Sequence, residues 1–387
     1  MKDQYHTGSS CRFPERYISG LSCSGSSQMK AAVLHEFGMP LSVEQVIDPV
    51  IGTGEVLVDV VAAPVLSYSG EILSGARRYL LPTPVVPGAG AIGRVRTVGP
   101  DATRLQPGDW VFCDPTVRAR DGLPAPDITL QGASARGEGG QKLQRYFRDG
   151  TFAAQVRVPT ENAAPIGMID PAEAGRWCAV GALLIAYGGL LAMDFRPGGT
   201  LLVSGATGNF GSSTVALALA MGARCVVAPG RNIAVLDDLR QRFGERLVPV
   251  RLTGDADTDT AAMRAAAPGS IDAVQDFLPP SAAAAVTRAA IMTLRQGGRA
   301  VLMGGVGMMG GEDLALPYPW IMRNLITVRG QWMYDAAAIP GLVGLIRSGL
   351  LDLRHWAVTA FPLDDANAAV ANAAAQAGPF RLTVLKP

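Results

Sequence analysis

Leu201-Leu202-Val203-Ser204-Gly205-Ala206-Thr207-Gly208-Asn209-Phe210-Gly211 is the stretch that decides the fold of this chain. A short apolar run reads as a buried strand and breaks at once into a glycine-rich turn. An Ala- and Leu-rich helix follows, over about 212–221. Strand, glycine turn and helix in that order aim backbone N–H groups and a helix N-terminus at an anionic ligand. Gly205, Gly208 and Gly211 have separate duties: the tight turn, the close approach of a pyrophosphate, and the close contact of helix with strand. A glycine triplet alone is weak evidence, but in this setting it predicts a dinucleotide site over Ser204, Gly205, Ala206, Thr207, Gly208, Asn209, Phe210 and Gly211.

The chain around it has 387 residues, which suggests two domains. Hydrophobic residues make up 48%, charged residues 17%, and the net charge is +1, so a large core is within reach. That balance shows no electrostatic commitment to nucleic acid or to an acidic membrane. The apolar stretch 178–193 is interrupted by glycines and reads as too short to span a bilayer. Five scattered cysteines argue against a disulfide framework and fit a reducing cytoplasm. Residues 1–28 are Ser- and Gly-rich, hold Cys11 and Cys23, and lack the apolar core of a signal peptide. They are expected to be a disordered extension or the product of an upstream start.

From 29 to about 158 the pattern is short β-like runs (55–62, 93–98, 109–113) between Gly, Pro and Asp turns, which predicts a compact β-rich unit. The polar, glycine-rich segment 114–150 reads as a long excursion over the surface. From about 171 the texture changes to alternation of strands and helices. A helical stretch at 171–193 precedes strand 200–203, helix 209–221, strand 224–228, helix 232–243 and strand 247–251. Then come strand 273–277, helix 281–294 and strand 299–303. This alternation predicts an α/β doubly wound parallel sheet. A helix near 337–348 and a strand at 381–385 are expected to return to the first unit.

The chain resembles the medium-chain dehydrogenase/reductase superfamily, in particular its zinc-free, quinone-oxidoreductase-like branch. The resemblance runs from Met29 to Pro387. It is carried by Met29-Lys30-Ala31-Ala32-Val33, Gly54-Glu55-Val56-Leu57-Val58, Pro87-Gly88-Ala89-Gly90-Ala91-Ile92-Gly93, Leu105-Gln106-Pro107-Gly108-Asp109-Trp110-Val111 and the loop at 204–211. It implies a GroES-like catalytic domain over 29–165, completed by 331–387, and a Rossmann nucleotide-binding domain over 166–330, with the site between them. It also implies a homodimer. Zinc-dependent relatives keep a Cys, a His-Glu pair and a further Cys or Asp where this chain has Leu66, Ala89 with Gly90, and Gly181 or Ala182. None of these can bind zinc, which takes thiolate, imidazole or carboxylate. Cys178 is near the last position but out of register, and reads as a buried thiol. The lobe that holds four cysteines in relatives has only Cys113.

The strand that should select the cofactor ends Ala228-Pro229-Gly230-Arg231-Asn232, without the carboxylate that would accept a free ribose 2′-hydroxyl. Arg231 offers a guanidinium to a 2′-phosphate, and Asn232 can add a hydrogen bond or cap the next helix. Both favour NADP(H). By resemblance, Phe277 and Gly304-Gly305-Val306 also touch the cofactor, although Phe277 serves equally as core and 304–311 as a flexible turn. Without zinc, the chemistry left is hydride delivery to a carbon already electrophilic, such as an activated C=C or a quinone. Tyr68 falls where relatives keep the hydroxyl of a proton relay and is the candidate catalytic donor, with Ser67 and Ser69 as weaker alternatives. Trp332, Met333 and Tyr334 read either as substrate-pocket lining or as packing between domains or subunits. His355, with no base or nucleophile beside it, reads as a packing residue. The competing readings are a metal-free carbonyl reductase or alcohol dehydrogenase, and a non-catalytic NADPH-binding protein. The partner expected is a small molecule, not nucleic acid or membrane.

Overall fold

The computed structural model describes residues 27–387. The expected extension lies, up to position 26, outside the described residues. Six parallel strands form one sheet in the order Leu247–Arg251, Cys225–Gly230, Thr200–Ser204, Ile271–Asp276, Leu294–Leu302, Thr327–Gly330. The order reverses between Thr200–Ser204 and Ile271–Asp276. That is the crevice where a doubly wound sheet receives its ligand, outside the carboxyl ends of the strands.

Both faces of this sheet are apolar because helices cover both. Side chains alternate across it: Leu201, Val203, Val226 and Ala228 belong to one core, Leu202, Cys225 and Val227 to another. The first of these cores continues through Leu183, Leu184 and Leu190 to Ala62, Ile92 and Phe112, so the sheet shares apolar packing with the β-rich unit. Burying each such leucine is worth about 2 kcal/mol.

The β-rich unit is a mixed sheet in the order Ala163–Pro165, Trp110–Cys113, Ala91–Val98, Glu55–Val65, Arg381–Lys386, Ala357–Pro362, with Gln155–Pro159 also on Glu55–Val65. Arg381–Lys386 runs antiparallel to Glu55–Val65, with Thr383 opposite Val65, and so returns the tail to the first unit. Two small sheets flank it, Gln28–Val33 with Ser42–Ile47, and Thr116–Arg118 with Ile128–Leu130 and Ser134–Ala135.

The last of these corrects the expectation of a surface excursion at 114–150. The segment folds into three short strands and the helix Gly137–Tyr146, and it buries Thr116, Thr129, Gln131, Ser134 and Gln144. Its polarity misled because Thr129, Gln131 and Gln144 find backbone carbonyls to bond inside the protein. Gln131 donates to the carbonyls of Asp149 and Arg157, Gln144 to that of Leu80, and Thr129 to that of Ser134.

Other boundaries moved as well. The helix expected at 281–294 is Ala284–Ile291, and the following strand begins at Leu294 rather than 299. Helices Ala256–Ala266 and Ala366–Ala375 and the edge strand Thr327–Gly330 were not anticipated. The helical run covers Pro171–Ala192, in line with the expected 171–193, and its most apolar 18-residue window has a mean hydropathy of 1.4. Its most apolar window is 67% buried within the protein, which is the behaviour of a core helix.

Candidate active site

The glycine loop leaves the sheet at Ser204. Gly205 adopts a left-handed φ of +83°, and a side chain there would press on the backbone of Phe277. Gly211 has no room at all: a Cβ would lie 2.1 Å from the carbonyl oxygen of Gly205. Gly208, by contrast, is exposed and precedes the helix Asn209–Ala220 with the free N–H groups of its first turn. The helix carries Ser212, Ser213 and Thr214 buried because their hydroxyls donate to the carbonyls of Asn209 and Phe210 one turn back. One end of the Asn209 side-chain amide, Oδ1, is buried without a partner beside the loop. A close-packed turn, an open Gly208 and an unsatisfied amide fit the pyrophosphate of a dinucleotide.

The strands on either side deliver the other expected residues to the same edge. Gly230 ends Cys225–Gly230 against Thr207, since a Cβ on it would stand 2.9 Å from the threonine methyl. Arg231 is exposed, and no described hydrogen bond or ion pair engages its guanidinium. Asn232 caps the helix Ile233–Phe243, its Oδ1 accepting from the N–H of Val235. Phe277 stacks on Phe210, with centroids 5.8 Å apart. Gly304, Gly305 and Val306 follow Leu294–Leu302, and the N–H of Gly305 donates to the carbonyl of Leu278. The structure thus gathers all the cofactor candidates at one edge of the parallel sheet.

Asp276, at the end of Ile271–Asp276 and 2% exposed, is one residue that the sequence reading missed. Burial raises its carboxyl above the ordinary range, opposed by hydrogen bonds from Ser204, the N–H of Leu278 and Thr287. The signal was available: an acid directly before Phe277, at the tip of a buried strand.

In the β-rich unit a small pocket opens among Pro64, Leu66, Ser69, Ile72, Ala89 and Phe152. It is lined by the two positions, Leu66 and Ala89, that correspond to metal ligands in zinc-dependent relatives. Neither has a lone pair to offer. Cys178 is buried, weakly hydrogen-bonded to the carbonyls of Ala62 and Ala174, and desolvation pushes its thiol up to about 12. Among the described residues no three His, Cys, Asp or Glu side chains gather to hold a metal ion. A catalytic zinc does not fit this donor set.

Tyr68 begins the short helix Ser69–Leu73, and its ring lies under the Arg77 guanidinium, 4.1 Å from the centroid. Burial raises the phenol well above its ordinary value, helped by Tyr79 and opposed by Arg77, so it remains a donor at neutral pH. Ser69, not Tyr68, lines the pocket. Trp332 is 40% exposed and faces the Arg136 guanidinium, whereas Tyr334 is buried. His355 packs among Phe243, Trp356 and Phe380, far in sequence and contact from either site.

Comparison with known proteins agrees with this geometry. Residues 52–168 match the alcohol dehydrogenase GroES-like domain. The chain is 26% identical to an alcohol dehydrogenase of Moraxella sp. over 88% of its length and 94% of the relative's. It is 31% identical to an acryloyl-coenzyme A reductase of Metallosphaera sedula over 51% of its own length and 58% of that protein's. Among solved structures, a Sinorhizobium meliloti dehydrogenase, described as zinc-binding and bound to NADP, superposes with a TM-score of 0.74. That match has 21% identity and covers 93% of this chain and all of the other. Fold and relatives together define an oxidoreductase. The chain is similar in sequence and fold to alcohol dehydrogenases and reductases, and its segment 52–168 matches their GroES-like domain.

Proposed function

We propose that the protein is a zinc-independent, NADP(H)-dependent reductase of activated C=C bonds or quinones. The observation that carries this reading is the apolar pocket at Leu66 and Ala89, which has no metal ligand where relatives hold one. A neutral, flat, conjugated acceptor suits those walls. A plain alcohol would find no metal there to lower the pKa of its hydroxyl. The kinship with an acryloyl-coenzyme A reductase supports reduction of a conjugated alkene.

In this reading 166–330 is the cofactor unit, and 29–165 with 331–387 the substrate unit. Backbone N–H groups of 205–211 hold the pyrophosphate, while Arg231 and Asn232 take the 2′-phosphate. Phe277 and Gly304-Gly305-Val306 bound the nicotinamide end. The cofactor supplies a hydride when bound. Tyr68 donates a hydrogen bond and then a proton to the developing enolate or phenolate oxygen. Ser69 is the alternative donor, favoured by its place on the pocket wall. A homodimer fits the outer strand Thr327–Gly330, which pairs on one side only, and exposed Met308, Met309, Tyr318, Met322 and Leu325 nearby in sequence. Buried free thiols at Cys113, Cys178 and Cys225 suit the cytoplasm.

The test is NADPH oxidation by metal-free protein against quinones, α,β-unsaturated ketones and saturated aldehydes. Turnover on the first two, insensitive to chelator, is expected. Turnover on aldehydes alone, or only after zinc is added, overturns the reading.

A further inference from the structure

Between the two units lies a buried polar cluster that the proposed chemistry does not use. Asp114, at the corner between Trp110–Cys113 and Thr116–Arg118, is 1% exposed, and Tyr334 is 4% exposed. The Tyr334 phenol donates to Asp114 Oδ1 at 2.7 Å, and the N–H of Thr116 donates to the same oxygen at 2.9 Å. Arg118 stands 3.5 Å from Asp114 Oδ2 and also donates to the carbonyl of Tyr334. Asn162 fixes the corner from below by donating to the carbonyls of Asp114 and Thr116. On its other flank Tyr334 meets the helix Ala179–Ala192 at Gly188, where a Cβ would come within 2.6 Å of the tyrosine Cβ.

The segment that ends in Tyr334 begins at the cofactor edge. The N–H of Gln331 donates to the carbonyl of Leu302, the residue before Met303-Gly304. Between the two anchors, Trp332 is held out toward Arg136 of the β-rich unit, and Met333 carries a φ of +60°, unusual for so large a side chain. Four residues therefore join the tip of a parallel strand to a buried acid of the other unit.

We infer that the Asp114–Tyr334 hydrogen bond is a latch that holds 331–334 in place and so sets the substrate pocket against the cofactor edge. Tyr334 is then a positioning residue. It touches neither substrate nor cofactor, and acts through Trp332 and Gln331. The latch rests on the nicotinamide reading for its purpose but not for its existence.

Hydrogen exchange on wild type, Tyr334→Phe and Gly188→Ala, with and without NADPH, tests it. Gly188→Ala pushes Tyr334 from the opposite side without touching Asp114. Both variants are expected to exchange about tenfold faster at 331–336 and 114–118, with 200–230 unchanged. NADPH, followed by its fluorescence, should bind about fivefold more weakly to both. Unchanged exchange at 331–336 in Tyr334→Phe overturns the latch, and so does an increase spread evenly through 200–230, which would mark a general loss of stability. Faster local exchange with unaltered NADPH affinity removes the positioning role. Wild type that fails to bind NADPH overturns the cofactor assignment instead and leaves the exchange comparison to decide the latch.

Discussion

The cofactor edge and the substrate pocket are built on opposite principles. At the edge, eleven consecutive residues, 201–211, supply strand, turn and helix start, and steric exclusion does the work: Gly211 tolerates nothing larger. The pocket takes single residues from distant turns, Leu66 and Ser69 from one, Ala89 from another and Phe152 from a third. The edge is therefore stiff and intolerant locally, whereas the pocket can change chemistry by single substitutions without disturbing the fold.

The contrast is sharpest at Gly211. Gly211→Ala should weaken NADPH binding at least 100-fold, a cost of about 3 kcal/mol from displacing the Gly205 carbonyl. A fluorescence titration measures it, and near-wild-type affinity would mean that the edge is as pliable as the pocket. Next in size, Tyr68→Phe should lower kcat about 100-fold with the NADPH Kd unchanged. If Ser69→Ala produces that loss instead, the donor belongs to the pocket wall. Steady-state kinetics with the best acceptor from the panel separates the two.

Arg231→Ala should cost about tenfold in NADPH affinity and nothing in NADH affinity, since only the 2′-phosphate meets the guanidinium. Equal losses for both nucleotides would overturn the 2′-phosphate assignment of Arg231. The smallest effect concerns Asp276. Its folded pKa is raised, so its contribution to stability is complete below the unfolded carboxyl value near 4 and is lost as pH rises through the folded value. Asp276→Asn is free of that loss. Its thermal midpoint relative to wild type should therefore rise between pH 4 and pH 8. A difference independent of pH would mean that the acid titrates normally.

How far the sequence could be read follows the same division. The parallel sheet was legible because Thr200–Ser204 and Cys225–Gly230 carry contiguous apolar runs between helices, and the glycine loop because its chemistry is local. Thr327–Gly330 escaped notice because an edge strand with Arg329 exposed has no apolar signature. The segment 114–150 was misread because its buried Gln131, Gln144 and Thr129 donate to backbone carbonyls, which composition cannot reveal. Tyr68 was selected by register, yet it is Ser69 that lines the pocket: in so short a helix neighbouring side chains diverge, and spacing alone does not orient them. The Asp114–Tyr334 bond spans 220 positions, and nothing in either neighbourhood announces the other.

The pairing of Glu55–Val65 with Arg381–Lys386 has a consequence for how the chain is made. The parallel sheet draws all its strands from one unbroken stretch and can form as soon as that stretch leaves the ribosome. The mixed sheet cannot. At about 5–20 residues per second, the Val-rich strand Glu55–Val65 waits on the order of tens of seconds for its neighbour. In that interval its edge N–H and C=O groups are open to any other strand that passes. The newborn protein is therefore most vulnerable to misassembly in the unit that begins first, and the order of synthesis runs against the order in which the two sheets can close.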